Sequence, residues 1–148
     1  MLTEETTKRL GELDREAIIS TLKKIFERRQ AGDIDGMMAF VAPDIVCFPE
    51  TTWGYARYPR PILGRENVRE AFRHRHVNYI NVKTEIRRLL VDGDQAAVHR
   101  TTTIRERGGG EPLTFDSVDF IRFRDGLVVE FCELPDGTAR EVANCFPH

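Results

Sequence analysis

The sequence predicts an α+β fold, with helices packed on one face of a mostly antiparallel sheet. Helical apolar patterns fill the first half of the 148 residues, and alternating strand patterns with tight-turn signals fill the second half. Chains that place helices before strands in this way separate the two kinds of element into layers. A chain of this length can bury its own core. We therefore expect residues 1–148 to form one domain.

Apolar periodicity predicts a long first helix. From Leu10 onward, apolar residues recur at three- and four-residue steps, until Gly32 ends the helix. Arg28 and Arg29 fall on the opposite, solvated face. We expect the polar residues 1–10 to be frayed. The apolar stripe consists of Leu10, Leu13, Ala17, Ile18, Leu22, Ile25 and Phe26.

Two shorter helices and a long loop follow. Asp33 is expected to cap a short second helix that Pro43 stops, and a third helix is expected from Arg65 to about Asn78. Between these helices we expect a short strand over residues 44–49. An aromatic, proline-rich loop then runs from Glu50 to Gly64, and loops of this length are often functional.

The remainder of the chain predicts a meander of long strands. Asp92-Gly93-Asp94 and Asp125-Gly126 are signals for tight turns, and Gly108-Gly109-Gly110 is expected at a hairpin tip. The predicted strands cover residues 80–91, 95–106, 113–124 and 127–134.

Composition limits the function classes. Lysine plus arginine is 22 and aspartate plus glutamate is 24, so the net charge is 22 − 24 = −2. A nucleic-acid binder normally has a basic excess, and no apolar run is long enough to cross a membrane. The acidic start predicts no secretory signal, and the 3 cysteines lack metal-ligand spacing. We expect a cytoplasmic protein without a metal ion or cofactor.

Three segments resemble a known group of proteins. The segments 31–40, 64–72 and 118–130 are similar to those of the SnoaL-like and ketosteroid-isomerase-like families of the nuclear-transport-factor-like superfamily, over about residues 14–136. The resemblance implies a cone-shaped barrel, in which a strongly curved sheet wraps around three helices and leaves a pocket for a small molecule. It also implies a homodimer through the outer face of the sheet. Because the superfamily includes isomerases, cyclases, hydrolases and non-catalytic binders, the activity stays open.

Strand alternation, with the family register, predicts three charged residues in that pocket. Arg100, Asp119 and Glu133 fall on the inner face, whereas His99 falls on the outer face. Unpaired buried charges are costly, so we expect Arg100 to pair with the acids. The inner faces consist of Val98, Arg100, Thr102 and Ile104, of Phe115, Ser117, Asp119, Ile121 and Phe123, and of Val129, Phe131 and Glu133.

These three residues form the predicted catalytic group. Apolar surroundings raise the pKa of a carboxyl group and a nearby arginine lowers it, so a buried acid of this kind can give or take a proton. Asp119 or Glu133 would move a proton or activate water, while Arg100 would orient them or hold a substrate oxygen. The alternative is an ion pair that only positions the strands.

The resemblance to ketosteroid isomerases is incomplete at the site. Asp119 matches the aspartic acid that these enzymes use as a proton-sharing donor to the substrate. Their tyrosine donor corresponds to Ile25, and their base corresponds to Pro49, which lies beside Glu50. True steroid isomerisation is therefore not expected unless Glu50 takes over as the base.

The limonene-epoxide-hydrolase-like branch offers a second comparison. Arg100 matches its arginine and Glu133 its water-activating aspartate, but Thr102 stands where the branch has another aspartate. Asp119 could approach Arg100 from the neighbouring strand instead. SnoaL-like cyclases, which use a pocket carboxylate as acid and base, fit best because they require the least.

Further residues are expected to bind the substrate. Trp53, Tyr55 and Tyr58 either roof the pocket or close the loop or a dimer contact. His76 is expected at the rim, or else as a satisfied or solvated histidine. The cluster of Arg69, Arg73 and Arg75 is expected on a solvated helix face that could attract an anionic ligand. The other expected substrate contacts are Glu50, Thr102, Phe115, Phe123 and Phe131.

The sequence thus predicts a cofactor-independent enzyme that performs acid/base chemistry on a mostly apolar small molecule, of the isomerase, cyclase or hydrolase type. A non-catalytic module that binds a small molecule is the alternative. A third class is an interaction domain that uses the outer face of the sheet.

Overall fold

A computed structural model describes residues 2–48 and 60–136 of the chain. The predicted loop residues Glu50, Trp53, Tyr55 and Tyr58 lie outside the described residues. Within the described ranges the elements are helices α1 (Glu4–Gln30), α2 (Ile34–Met38) and α3 (Arg65–Asn78), and strands β1 (Val41–Phe48), β2 (Ile62–Leu63), β3 (Tyr79–Asp92), β4 (Gln95–Glu106), β5 (Leu113–Arg124) and β6 (Leu127–Pro135).

The strands form one curved, open sheet in the order β2-β1-β6-β5-β4-β3. Strands β3 to β6 pair with their chain neighbours as an antiparallel meander, and β1 joins the far side of β6 as a parallel strand. Helix α1 packs against β3, and α3 packs against β1 and β3. The predicted α+β class and the cone with helices on its inner face are confirmed.

Helix α1 begins earlier than its apolar pattern predicted. It begins at Glu4, because the Thr3 side chain accepts a hydrogen bond from the backbone N–H of Thr6 and caps the helix. Ala17, expected on the buried stripe, is exposed, and the side chains of Leu10 and Leu13 lie outside the described part of the chain. The buried stripe is Ile18, Leu22, Ile25 and Phe26.

Pro43 does not end a helix as predicted. Helix α2 stops at Met38, and β1 already begins at Val41, so Pro43 lies inside the strand. The pairing of β1 with β6 shifts register between Val41 and Val46. Proline lacks an N–H donor, and such an irregular stretch of strand tolerates it. The predicted long loop also contains β2, which pairs with β1.

A second irregularity changes the inner face of β6. Phe123 pairs with Val128 while Arg122 pairs with Glu130, so one extra residue of β6 stands between them. Such a bulge breaks the strict alternation of side chains. The predicted inward position of Val129 was therefore wrong, and Val128 is the buried residue. In the described ranges, no helix is long and apolar enough to cross a membrane.

The turn after α1 generates a test. Gly32 has φ +76°, and a Cβ atom added there would collide with the ring of His76. Gly93 has φ +60° in the turn between β3 and β4, and nothing lies near its added Cβ. Gly93→Ala should lower the free energy of unfolding by about 1–2 kcal/mol from the left-handed backbone alone, and Gly32→Ala should lower it further. Chemical denaturation of both variants measures the difference, and equal losses would show that His76 is not held against this turn.

Candidate functional site

Arg100 forms hydrogen bonds with both predicted acids at the inner face of the sheet. Its Nε donates to Oδ2 of Asp119 at 2.6 Å and its Nη2 donates to Oε2 of Glu133 at 3.0 Å. Nη2 also donates to Oδ1 of Asp119 at 3.2 Å. Arg100 therefore binds the carboxylate of Asp119 in a bidentate manner. The three side chains are at most 1% exposed. The structure thus brings together Arg100, Asp119 and Glu133, the three predicted catalytic residues.

The strand register explains this convergence. Asp119 on β5 lies directly opposite Glu133 on β6. Its Cα partner on β4 lies two residues before Arg100, so the side chains of Asp119 and Arg100 lie on the same face of the sheet. Arg100 also donates from Nη1 to Oγ1 of Thr102 at 2.8 Å. Asp119 therefore approaches Arg100 from the neighbouring strand, and the Thr102 hydroxyl adds an uncharged acceptor from β4 itself. The result is a carboxylate–arginine–carboxylate bridge across three strands.

Two more arginines approach Glu133 from the helices. Arg29 Nη2 lies 3.5 Å from Oε2 of Glu133, and Arg75 Nη1 lies 3.6 Å from Oε1. Their side chains are 11% and 16% exposed, so the expectation that both lie on solvated helix faces was wrong. The sequence contained a signal for this inward position, because Arg29 follows the buried Phe26 by three residues and Arg75 follows the buried Phe72 by three. Residues at that spacing share a helix face.

Aromatic rings position these guanidinium groups. The Cζ atoms of Arg29 and Arg75 lie 4.8 and 5.1 Å from the centre of the Phe72 ring, and Arg100 Cζ lies 5.8 Å from that of Phe26. A guanidinium group within this range of an aromatic ring is attracted to it. The other two members of the predicted arginine cluster instead reach Asp35 on the surface, where Arg69 and Arg73 lie 2.9 and 2.7 Å from its Oδ1.

Opposing effects act on the pKa of Asp119 in this buried group. Burial raises the pKa of Asp119, the positive charge of Arg100 opposes that rise, and the nearby charge of Glu133 adds to it. The pKa of Asp119 is therefore above its ordinary value despite the bond to Arg100. Outside this group, burial raises the pKa of the Cys47 thiol, which packs as a small side chain in the main core.

A cavity of about 50 Å³ lies in front of Arg100. The predicted residues Arg100, Thr102, Phe115 and His76 line it, and Asp119 and Glu133 are not among the described lining residues. The sequence reasoning did not place the remaining lining residues at the pocket. These are Arg29, Ile34, Phe72, Arg75, Tyr79 and Asn81, whereas Ile104, which also lines the cavity, was predicted on the inner face.

Two predicted contacts lie elsewhere. Phe123 packs in the main hydrophobic core. Phe131 lines a second, apolar cavity of about 20 Å³ between the helices and β1. Both rings are buried as expected, but in the main hydrophobic core. They support the fold around the site and do not line the cavity beside Arg100.

His76 and His99 lie at different places in the fold and have different hydrogen-bond partners. Arg107 Nε donates to the backbone oxygen of His76 at 2.7 Å, and His76 lines the cavity. His99 lies on the outer face as expected, with Nε2 3.1 Å from Oδ2 of Asp116. Among residues 2–48 and 60–136, no three His, Cys, Asp or Glu side chains are grouped so that they could hold a metal ion.

The buried bridge makes a stability prediction. Arg100→Met would leave two buried carboxyl groups without their shared guanidinium partner, so we expect a loss of about 3–5 kcal/mol in the free energy of unfolding. Arg122→Met is the matched control, because Arg122 pairs with Glu130 at 2.8 Å with both side chains about half exposed. That change should cost at most about 1 kcal/mol. Similar losses in urea denaturation would contradict the buried bridge.

Known proteins share this architecture. A protein of unknown function from Burkholderia pseudomallei, described as NTF2-like, is 22% identical, with 85% of this chain and 95% of that chain covered and a TM-score of 0.69. An LEH-like epoxide hydrolase from Mycobacterium tuberculosis is 18% identical, with coverage of 86% and 89% and a TM-score of 0.70. A Bacillus subtilis protein with a proposed isomerase activity is 15% identical, with coverage of 88% and 94% and a TM-score of 0.73.

At these identities the structural similarity establishes the fold alone. No curated protein sequence matches the chain significantly. The model of the SnoaL-like domain matches residues 22–131, which include all three helices in part or whole and the strands that carry Arg100 and Asp119. The chain therefore belongs to the family of SnoaL-like domains.

Proposed function

We propose that this protein is a cofactor-independent enzyme that performs acid/base chemistry on a small, mostly apolar molecule. The observation that carries the proposal is the buried bridge of Asp119, Arg100 and Glu133 directly behind a cavity. Charged groups held in a fixed arrangement away from water are the usual means of stabilising charge that develops during a reaction. The epoxide hydrolase and the protein with a proposed isomerase activity, both similar in fold, support this class of chemistry.

Each of the three residues has a separate role. Asp119 is a positioning residue, since its two oxygens bind Arg100. Arg100 lines the cavity and holds a substrate oxygen. Glu133 accepts a proton from the substrate, or from a water that attacks it, and returns that proton to a second atom of the substrate. The proton is conserved in this sequence, so the reaction requires no oxidant or reductant.

A non-catalytic binding module is the second candidate. It is favoured by one observation, namely that the described residues lining the cavity include Arg29, Arg75 and Arg100 but neither buried acid. In that case the acids only hold Arg100 in place, and the cavity retains a ligand unchanged.

Turnover separates the two candidates. A thermal-shift screen of metabolites first identifies a ligand, because a bound ligand raises the melting temperature of the folded protein. Glu133→Gln should then retain binding and lower kcat by at least about 100-fold, the usual contribution of a general base. Glu130→Gln is the matched control, since Glu130 lies on the same strand but is 42% exposed and pairs with Arg122. Binding without turnover by the unaltered protein would establish the binding module instead.

We also propose a homodimer through the outer face of the sheet. Cα partners across four strands align an apolar row on that face, made of Leu90, Ala97, Phe120 and Cys132. Phe120 is 51% exposed and Leu90 is 59% exposed. A contiguous apolar row of this kind is typical of a surface that a partner covers.

Light scattering at micromolar concentration tests the dimer. The unaltered protein should have twice the mass of the chain, and Phe120→Glu should yield monomers because it buries an unpaired charge at the contact. Val77→Glu, which alters a 67% exposed valine on α3, should leave the dimer intact. A monomeric unaltered protein would overturn the proposal.

A further inference from the structure

We infer that the substrate carries a carboxylate head group, which the guanidinium groups of Arg29 and Arg75 bind inside the cavity. The inference rests on the proposed function, because it assigns a substrate class to the same site. It combines the charge of the cavity wall, the geometry of the contacts to Glu133 and the size of the cavity.

Three arginines contribute to the cavity wall. Arg29, Arg75 and Arg100 all line it, and none of its described lining residues is an acid. Two carboxylates lie behind these three guanidinium groups, at Asp119 and Glu133. A ligand that enters therefore meets positive charge first. In a site largely shielded from water, a negative group gains more from such charges than it does at an open surface.

Glu133 does not engage the three arginines equally. Arg100 lies at 3.0 Å, whereas the contacts of Arg29 and Arg75 are 3.5 and 3.6 Å long. Strong charge-assisted hydrogen bonds between nitrogen and oxygen measure about 2.7–2.9 Å. The two helix arginines thus make long contacts that a better-placed carboxylate can replace.

Phe72 holds Arg29 and Arg75 ready for this exchange. Their Cζ atoms lie 4.8 and 5.1 Å from the centre of the same ring, and both residues line the cavity. Side chains held in this way lose less conformational entropy when a ligand binds. The planar fork of arginine also matches the two oxygens of a carboxylate, which a lysine could not do.

The cavity size favours a head group over a whole ligand. Its volume is about 50 Å³, well below the roughly 300–1,000 Å³ typical of sites that enclose an entire small molecule. A carboxylate with its adjoining carbon suits such a space, and Ile34, Ile104 and Phe115 cover the apolar part that follows. The rest of an apolar substrate would then extend out of the cavity.

Binding of the head group has a consequence for the proposed base. As Arg29 and Arg75 turn to the ligand, their long contacts to Glu133 are lost, while the shorter contact with Arg100 persists. Substrate binding would therefore open access to Oε1 of Glu133, the oxygen that Arg75 approaches. A substrate whose carboxylate binds Arg29 and Arg75 would therefore promote its own reaction at Glu133.

The experiment compares two probes of nearly equal shape, hexanoate and hexanamide, by isothermal titration calorimetry. The unaltered protein should bind hexanoate at least about tenfold more tightly, because charge-assisted hydrogen bonds are about twice as strong as neutral ones. Arg29→Gln and Arg75→Gln should each remove most of that preference. Arg73→Gln is the matched control, since Arg73 lies on the same helix as Arg75 but pairs with Asp35 at the surface. It should leave the preference unchanged.

The outcomes distinguish this inference from the proposed function. No preference for hexanoate in the unaltered protein, including no binding of either probe, would overturn the inference. An equal loss in all three arginine variants would also overturn it, because general electrostatic attraction would then explain the preference. Glu133→Gln should keep or strengthen hexanoate binding while it abolishes turnover of a substrate. If Glu133→Gln retains turnover but the preference depends on Arg29 and Arg75, the proposed base is wrong and the carboxylate site stands.

Discussion

A single guanidinium group joins three strands at the centre of this fold. Arg100 on β4 binds Asp119 on β5 and Glu133 on β6, and all three are almost fully buried. Neighbouring residues of a strand face opposite sides of the sheet. A register shift of one residue in any of these strands would therefore move one charge to the outer face and leave the other two buried without that partner. The bridge therefore fixes the register of the sheet as well as the composition of the site.

The helices complete this group and do not merely cover it. The last turn of α1 supplies Arg29 and the last turn of α3 supplies Arg75, and both reach Glu133 while they flank Phe72. The long contacts at Glu133 thus connect two helix ends to the sheet. The cavity lies where these elements meet, so two of its guanidinium groups come from helices and one from β4, and the acids behind them come from β5 and β6.

Much of this arrangement could be predicted from the sequence, and the failures have physical causes. Alternation along β4 and β5 correctly placed Arg100 and Asp119 inward, since both strands pair without interruption there. It failed at Val129, where a bulge adds a residue that no local pattern indicates. Arg29 and Arg75 were assigned to solvent by their charge, although their spacing from buried phenylalanines placed them inward. Whether a long side chain turns inward depends on a partner such as Glu133, which is distant in the chain.

Thr102 has a consequence for how such a site can diverge. Its uncharged hydroxyl accepts a hydrogen bond from Arg100, so β4 contributes only positive charge while β5 and β6 contribute one negative charge each. Each of the three charges of the bridge thus comes from a different strand, and Thr102 lies beside them without being one of them. A substitution at Thr102 can therefore change the charge of the site by one unit without removing any of the three residues of the bridge. A fold organised in this way can acquire new chemistry through separate, small steps.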